Sequence, residues 1–318
     1  MKKKLYLHAF RLPAIVLVLI VFAEIFEDSP LFPFPPAIIP LIIAGGYVCY
    51  DTLVTIWRSR KITAGILVVL ALIGCVYTGE YHEGAEVAFM MLLGEALEHF
   101  AVEKTQLTVN LLIRNASSDA GQTIQTGEGG HAGRLADRFS VFFLPLILTI
   151  GIVVWLTTKD IRRLMSIFVI ACPCSLMLSS PTAVLTCIGN AAKKNILLAN
   201  GEIVEQCGNI HSVEFDQEKQ LYIADNGLTL GASSDADVIF TKNSESSLPY
   251  ALALTKKART IIWENILIFA FAVNLTGILL SGFGLLGPVP GALIHNTSSI
   301  CVVLNSLRLL RWEPKISK

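Results

Sequence analysis

A chain of 318 residues with 53% hydrophobic and only 16% charged residues, and a mean hydropathy of +0.61, is too apolar for an ordinary soluble domain and has the balance of a polytopic membrane protein. Its 25 basic and 25 acidic residues cancel, so net charge gives no reason to expect a nucleic-acid partner. Seven cysteines (Cys49, Cys75, Cys172, Cys174, Cys187, Cys207 and Cys301) lie mostly in apolar stretches and lack the spacing of an extracellular disulfide framework.

Apolar windows of roughly 20 residues predict eight membrane-crossing helices, at 11–26, 32–50, 62–79, 83–100, 139–158, 164–188, 261–282 and 289–310. Lys2 to Lys4 ahead of an apolar run resemble the start of a signal peptide. More spans of the same kind follow, so this reads as an uncleaved first helix. Arg58, Arg60 and Lys61, the segments 101–138 and 189–260, and Arg308, Arg311 and Lys315 then share one side with the N-terminus, which is cytoplasmic by the positive-inside rule. Lys159, Arg162 and Arg163 fall on the other side. The expected fold class is therefore an all-α polytopic membrane protein with eight transmembrane helices, both termini cytoplasmic, and a very small cytoplasmic α/β part.

Within the second span, Gly45 and Gly46 permit a bend, after which an amphipathic stretch to Trp57, Arg58 and Arg60 can lie at headgroup level. Packing through small residues is the equal alternative. The fourth span carries Glu80, His82, Glu83, Glu86, Glu95 and Glu98 in or beside it. Glu80 and Glu83 are expected at the outer mouth, simply solvated. Glu86 and Glu95 lie inside the run, where a carboxylate faces a cavity or a partner, and either serves an ion path or packs.

Segment 101–138 is polar, glycine-rich and too short for a well-cored domain. Segment 189–260 has strand-like runs at Ser212 to Phe215, Leu221 to Ile223 and Ala236 to Phe240, enough for a minimal sheet beside helical extensions of the spans. Neither holds a glycine-rich phosphate cradle with its lysine.

The sixth span contains Cys172-Pro173-Cys174 at mid-depth. On an unbroken helix, residues i and i+2 stand about 200° apart. Pro173 removes a backbone donor and clashes with the carbonyl of Val169, so the helix kinks or unwinds there. Both sulfurs can then face one side beside freed carbonyls. Thiolates select zinc, copper(I) and similar ions. In the last two spans, Asn265, Asn305 and Ser306 are expected to bond between helices. Asn274, Asn296 and Ser298 are candidates to complete or orient a metal shell, and His295 is a credible third ligand that shares a helix face with Ser298 and Ser299.

These motifs, taken in order, resemble the membrane core of heavy-metal-transporting P-type ATPases. Gly45-Gly46 and Trp57 are similar to that family's platform helix, and Leu93-Gly94-Glu95-Ala96-Leu97-Glu98 to its next span. Arg134 to Arg138 match the start of the span after. Ala171 to Ser175 with Ser180-Pro181-Thr182-Ala183 match its ion-binding span, and Val303 to Leu310 its last helix. The resemblance implies transition-metal cargo. Its sequence marks for ATP hydrolysis are absent: where the family has DKTGT, this chain reads Glu214-Phe215-Asp216-Gln217-Glu218-Lys219-Gln220, and the nucleotide and actuator domains have no room. Thr126-Gly127-Glu128 sits by position at the end of the actuator region, and Asp216 is read as structural.

The parts then divide as 1–100 (spans one to four with a platform near 45–60), 101–138 (actuator remnant), 139–188 (spans five and six), 189–260 (phosphorylation-domain remnant) and 261–318 (spans seven and eight with a tail). The function expected is binding and passive or coupled passage of a transition metal, without ATP, in the plasma membrane of a prokaryote. Zn(II) fits two thiolates and a histidine best, with Cd(II), Cu(I), Co(II) and Ni(II) compatible. Zinc-handling relatives often carry a carboxylate in the last span and a lysine in the one before. Here those places hold His295-Asn296 and Asn274. The alternatives are a non-transporting metal sensor or scaffold and the membrane subunit of a split ATPase, acting as a homo-oligomer or with a membrane or cytoplasmic partner protein.

Overall fold

Two helix ends in this protein are closed by glycines and one helix break falls at a proline, while Pro13, Pro145, Pro181 and Pro249 lie inside helices. In the computed structural model, which describes residues 2–27, 33–59, 65–117, 131–233, 236–240 and 244–314, the chain runs through α1 (Lys2–Ile25), α2 (Ile38–Ser59), α3 (Gly65–Thr78), α4 (Tyr81–Ser117), α5 (His131–Thr158), α6 (Ile161–Ile170) and α7 (Cys174–Lys193). A small α/β part follows: β1 (Ile196–Leu198), α8 (Gly201–Cys207), β2 (Val213–Asp216), β3 (Leu221–Ala224), β4 (Thr229–Gly231) and β5 (Val238–Phe240). Helix α9 (Ser244–Glu264) then passes through a π-helical stretch (Asn265–Ala272) into α10 (Val273–Gly282), before α11 (Pro288–Leu307).

The α3–α4 turn shows the local logic. Gly79 takes φ +76°, a conformation that costs glycine little, and the N–H groups of Gly79 and Glu80 bond back to Val76 and Cys75. That closes α3 with a Schellman cap. Gly284, also at φ +76°, does the same after α10, with Gly284 and Leu285 bonding back to Ser281 and Leu280. Asp160 starts α6 by accepting the Arg162 N–H at 3.0 Å, an ordinary N-cap.

Among the described residues, three helical stretches are long and apolar enough to cross a membrane: Ile38–Arg58, Ile161–Lys193 and Ser247–Gly282. Gly65–Thr78 and Phe143–Thr158 are shorter apolar helices. Helix α11 is not in either group, its apolar run being interrupted by His295, Asn296, Thr297, Ser298 and Ser299.

Several boundaries differ from the sequence reading. Helix α1 starts at Lys2, and α4 runs 37 residues, about 55 Å at 1.5 Å per residue and longer than the ~30 Å hydrocarbon core. Residues 101–117 and 131–138, expected in a loop, are helical, because helix formers such as Ala101, Glu103, Lys104, Gln106 and Leu107 lead on from the apolar run. Thr126-Gly127-Glu128, Lys315 and the side chain of Glu98 lie outside the described residues, as do the side chains of Arg134 to Arg138. Helix α2 passes through Gly45 and Gly46 without interruption. A Cβ on Gly45 would make only ordinary contact with Leu41 and Leu72, at 3.6 and 3.5 Å. Trp57 is 81% exposed at the end of that helix.

The chain divides into two compact units. The first comprises Met1–Phe100, Arg138–Cys174 and Phe269–Ile300. Its core is built on α6, whose Met165, Ile167, Phe168, Val169 and Ile170 are buried against Leu67, Val68, Ala71 and Leu72 of α3 and Ile278 of α10. Glycines let neighbours close on α6. A Cβ on Gly74 would stand 2.8 Å from Met165 Sδ, one on Gly151 2.6 Å from Phe168, and one on Gly277 would collide with Ile170. Close backbone approach through small residues is how helices associate where lipid gives them no hydrophobic incentive.

The second unit comprises Ala101–Asp137, Ser175–Ile268 and Cys301–Lys318. Its sheet has the order β1-β5-β4-β3-β2. Only β4 and β5 are parallel, with Leu230 beside Val238, and the other pairs are antiparallel. Three of the five strands coincide with the runs read from sequence. β1 and β4, three residues each, are too short for alternation to reveal. Leu197, Leu198, Leu230 and Val238 bury against Ile203 and Val204 of α8 and Leu254, Ala258 and Ile261 of α9.

Candidate metal centre

The site begins with a break in a helix. α6 ends at Ile170, the N–H of Ala171 still bonds to Ile167 O at 3.0 Å, and α7 starts at Cys174. Pro173 has no N–H to continue the ladder. The break brings Cys172 and Cys174 together as a disulfide pair, with their Cα atoms 5.7 Å apart, so the two sulfurs become metal donors only in the reduced form. His295 of α11 joins them, and the ligand atoms of all three lie within 4.8 Å of one another. Cys172 and His295 are each 2% exposed. Residues from two separate stretches of sequence thus meet in a dry place.

The polar atoms around this cluster divide into satisfied and unsatisfied. Asn274 donates from Nδ2 to the carbonyl of Cys172 at 3.3 Å, a carbonyl in the proline-broken segment. Its Oδ1 is buried without a hydrogen-bond partner, as are His295 Nδ1 and Ser299 Oγ. A buried polar atom left unpaired costs on the order of 1–3 kcal/mol, and such atoms in native structures call for an explanation. An imidazole nitrogen and an amide oxygen beside two sulfurs are a donor set for a borderline-soft cation, so the residues present fit a metal ion as cargo.

Ser298 is engaged elsewhere. Its hydroxyl donates to Phe269 O at 2.5 Å, inside the π-helical stretch. A π-turn shifts the i→i+4 pattern, and Ser298 bonds to one of its carbonyls. Asn296 is likewise held by a backbone carbonyl. Its Nδ2 donates to Met90 O at 2.5 Å, and its amide fills the space that a side chain on residue 94 would need. The proposed ion-path carboxylates lie outside the cluster: Glu86 is half-buried on α4, and Glu95 faces His99 one turn on, at 4.0 Å.

The partners of Arg162 and Arg163 were not legible. Arg162 pairs with both Glu80, in close contact, and Glu83 at 3.5 Å, so those carboxylates are not merely solvated. Arg163 bonds Asp160 at 3.0 Å and the carbonyl of Gly282 at 3.2 Å. Basic residues on the side expected to lack them are thus held by local partners. A second group of possible ligands, Glu24, Glu27 and His82, places each imidazole nitrogen toward a different carboxylate, at 3.5 and 3.9 Å, which is the geometry of an ion-pair bridge.

In the second unit, Asn265 donates to Ser306 Oγ at 2.9 Å and Asn305 donates to Asn265 Oδ1 at 2.9 Å, while Thr182 and Ser306 share a hydrogen bond of 2.9 Å. The polar side chains read as interhelical bonds are interhelical bonds. Asp216 closes the β2–β3 hairpin, accepting the N–H groups of Glu218 at 2.9 Å and Lys219 at 3.2 Å. Burial pushes the thiol of Cys207 up to about 12, which keeps it a protonated core residue and a poor metal ligand.

No family model matches the chain. Individual relatives do. The manganese-exporting P-type ATPase of Mycobacterium leprae is 36% identical over 89 residues, which is 28% of this chain and 12% of the relative. The zinc-exporting P-type ATPase of Mycobacterium marinum is 37% identical over an equal length. The copper-exporting P-type ATPase of Staphylococcus haemolyticus is 30% identical over 138 residues, 40% of this chain and 17% of the relative. Among solved structures, a zinc-transporting PIB-type ATPase in its E2.Pi state superimposes with a TM-score of 0.56 over 96% of this chain, at 12% identity. The homologues of this chain are heavy-metal P-type ATPases, and its matches span under a fifth of the length of the curated relatives cited.

Proposed function

We propose that this chain binds a transition-metal ion between Cys172, Cys174 and His295 and passes it across a membrane without hydrolysing ATP itself. The observation that carries the reading is the meeting of the broken Cys-Pro-Cys segment with a buried imidazole whose Nδ1 has no hydrogen-bond partner. The relatives are named for manganese, zinc, copper and cadmium. Two thiolates and an imidazole favour Zn(II), with Cd(II), Cu(I), Co(II) and Ni(II) compatible, over Mn(II), which prefers oxygen ligands. Once the Cys172–Cys174 bond is reduced by a thiol reductant, the cysteines bind as thiolates and the histidine neutral, so ion capture by the dithiol form releases protons. Asn274 holds the Cys172 carbonyl and offers its Oδ1 to the same ion.

The absence of hydrolysis rests on Asp216. Phosphoryl transfer needs an acceptor set among magnesium and basic residues. Here the aspartate at that place in the chain is engaged in capping a hairpin turn, and the DKTGT sequence is missing. Movement is then downhill or coupled to another gradient. The arrangement proposed has eight spans, with both termini and the small sheet on the cytoplasmic side of a prokaryotic plasma membrane. Zn(II) flux into liposomes holding the purified chain tests this, with and without ATP. Equal flux in both, abolished by C172S/C174S, is expected. Stoichiometric binding with no flux would turn the reading to a metal sensor or scaffold. Flux that needs a co-purifying ATP-hydrolysing subunit would make the chain part of a split pump.

A further inference from the structure

Helix α9 buries Leu254, Ala258, Ile261 and Ile262 in the core of the second unit. Its other face carries Lys256, Arg259, Thr260 and Trp263, at the i, i+3, i+4, i+7 spacing of one helical stripe. With Asn209 and His211 they line a cavity of about 360 Å³. Gly208 makes the close approach of the two walls possible: a Cβ there would stand 3.0 Å from Thr255 O and 3.4 Å from Arg259 Cβ. Lys257, one residue away, has Glu264 at 3.8 Å. Among the described residues Lys256 and Arg259 have no acidic partner, and the Asp225 carboxylate is engaged by His211. Two cations therefore converge on a hollow with nothing to neutralise them.

The same face changes character along its length. Trp263 is 46% exposed, and Leu267 and Ile268, the next turn on, are exposed apolar residues within the membrane-competent stretch Ser247–Gly282. Cation, amphipathic ring and aliphatic surface follow in the order of headgroup, interface and acyl chain of a lipid. We propose that this cavity binds the phosphodiester headgroup of an anionic phospholipid, with Arg259 and Lys256 on the phosphate, Trp263 at the glycerol level and Leu267 and Ile268 along the acyl chains. Arginine offers a fork of donors that matches phosphate oxygens. The acyl contact is what separates a lipid from a free phosphate.

The test uses the full chain in neutral detergent, incubated with phosphatidylglycerol, and counts retained lipid by native mass spectrometry. Wild type and K257A are expected to retain it, and K256R/R259K, which keeps both charges, to retain most of it. K256Q/R259Q is expected to lose on the order of tenfold in apparent affinity. Unchanged retention in K256Q/R259Q would overturn the proposal. Displacement of the lipid by equimolar inorganic phosphate would overturn it too, by making the cavity a soluble-anion site. Neither outcome depends on the metal centre, since the readout is retained lipid and neither Lys256 nor Arg259 supplies a ligand atom there.

Discussion

Asn296 hydrogen-bonds the backbone of α4 through a notch that exists because residue 94 is glycine: its amide donates to Met90 O at 2.5 Å and fills the place where a Cβ of residue 94 would stand. His295 is the preceding residue, so this contact sets the rotation of α11 and with it the direction of the imidazole. G94A forces the amide out of the notch. It is expected to cost about 1–3 kcal/mol, the usual range for overpacking, and to weaken Zn(II) binding by about tenfold. N296A removes the obstructing group, so G94A/N296A is expected to lose less than the sum of the single losses. Thermal unfolding in detergent and chelator competition read the two effects separately.

The metal site itself predicts unequal losses. C172S and C174S each replace a thiolate with a hydroxyl, which does not ionise near neutral pH, and each is expected to lower Zn(II) affinity by at least about a hundredfold. H295Q keeps a neutral acceptor and is expected to lose less than H295A. Because all three ligands bind in their deprotonated forms, affinity rises with pH over the range where they lose protons in the free protein. A pH series of competition titrations with the wild-type chain checks the sign. Affinity independent of pH between 6 and 8 would count against these ligands.

The membrane character and the Cys-Pro-Cys break were legible because they rest on composition and on one residue, Pro173, whose consequence is local. His295 could be nominated because an imidazole in an apolar helix needs a partner. The fates of Asn296 and Ser298 could not. By sequence both are candidates to complete or orient a metal shell; one hydrogen-bonds a backbone carbonyl on α4 and the other a carbonyl in the π-helical stretch, partners that no local spacing reveals. A π-turn leaves no mark in the residue pattern of Asn265–Ala272, which after Asn265 reads as uniform apolar helix. The pairing of Arg162 with Glu80 and Glu83 joins residues about eighty apart, and no spacing rule reaches that far.

The buried network of Asn265, Ser306, Thr182 and Asn305 gives a stability prediction. N265L removes a side chain that both donates to Ser306 and accepts from Asn305, leaving two buried groups with one partner fewer. Hydrogen bonds between membrane helices average roughly 0.6 kcal/mol, with a maximum near 2. The loss is expected at about 1–2 kcal/mol, seen as a lower unfolding midpoint. Zn(II) affinity at the Cys172 site should stay within twofold of wild type, since Asn265 contributes no ligand atom there.

Lys159, Arg162 and Arg163 set the last test, because the positive-inside rule alone would place them in the cytoplasm. Arg162 is held by two carboxylates and Arg163 by Asp160 and a carbonyl, which would lower the penalty for keeping those guanidinium groups on the outer side in the proposed topology. Exposed ion pairs of this kind contribute about 0–1 kcal/mol each to folding, so their main effect is expected on orientation. Single cysteines placed at Lys159 and at His211, in a background whose native thiols are blocked, should label differently with a membrane-impermeant maleimide in intact cells. Position 159 is expected to react directly, and position 211 only after permeabilisation. In E80Q/E83Q the arginine loses both partners, and a measurable fraction of chains is expected to show the reversed labelling. Reaction at a cysteine placed at 211 in intact cells, with Glu80 and Glu83 kept, would put the small sheet outside and invert the topology.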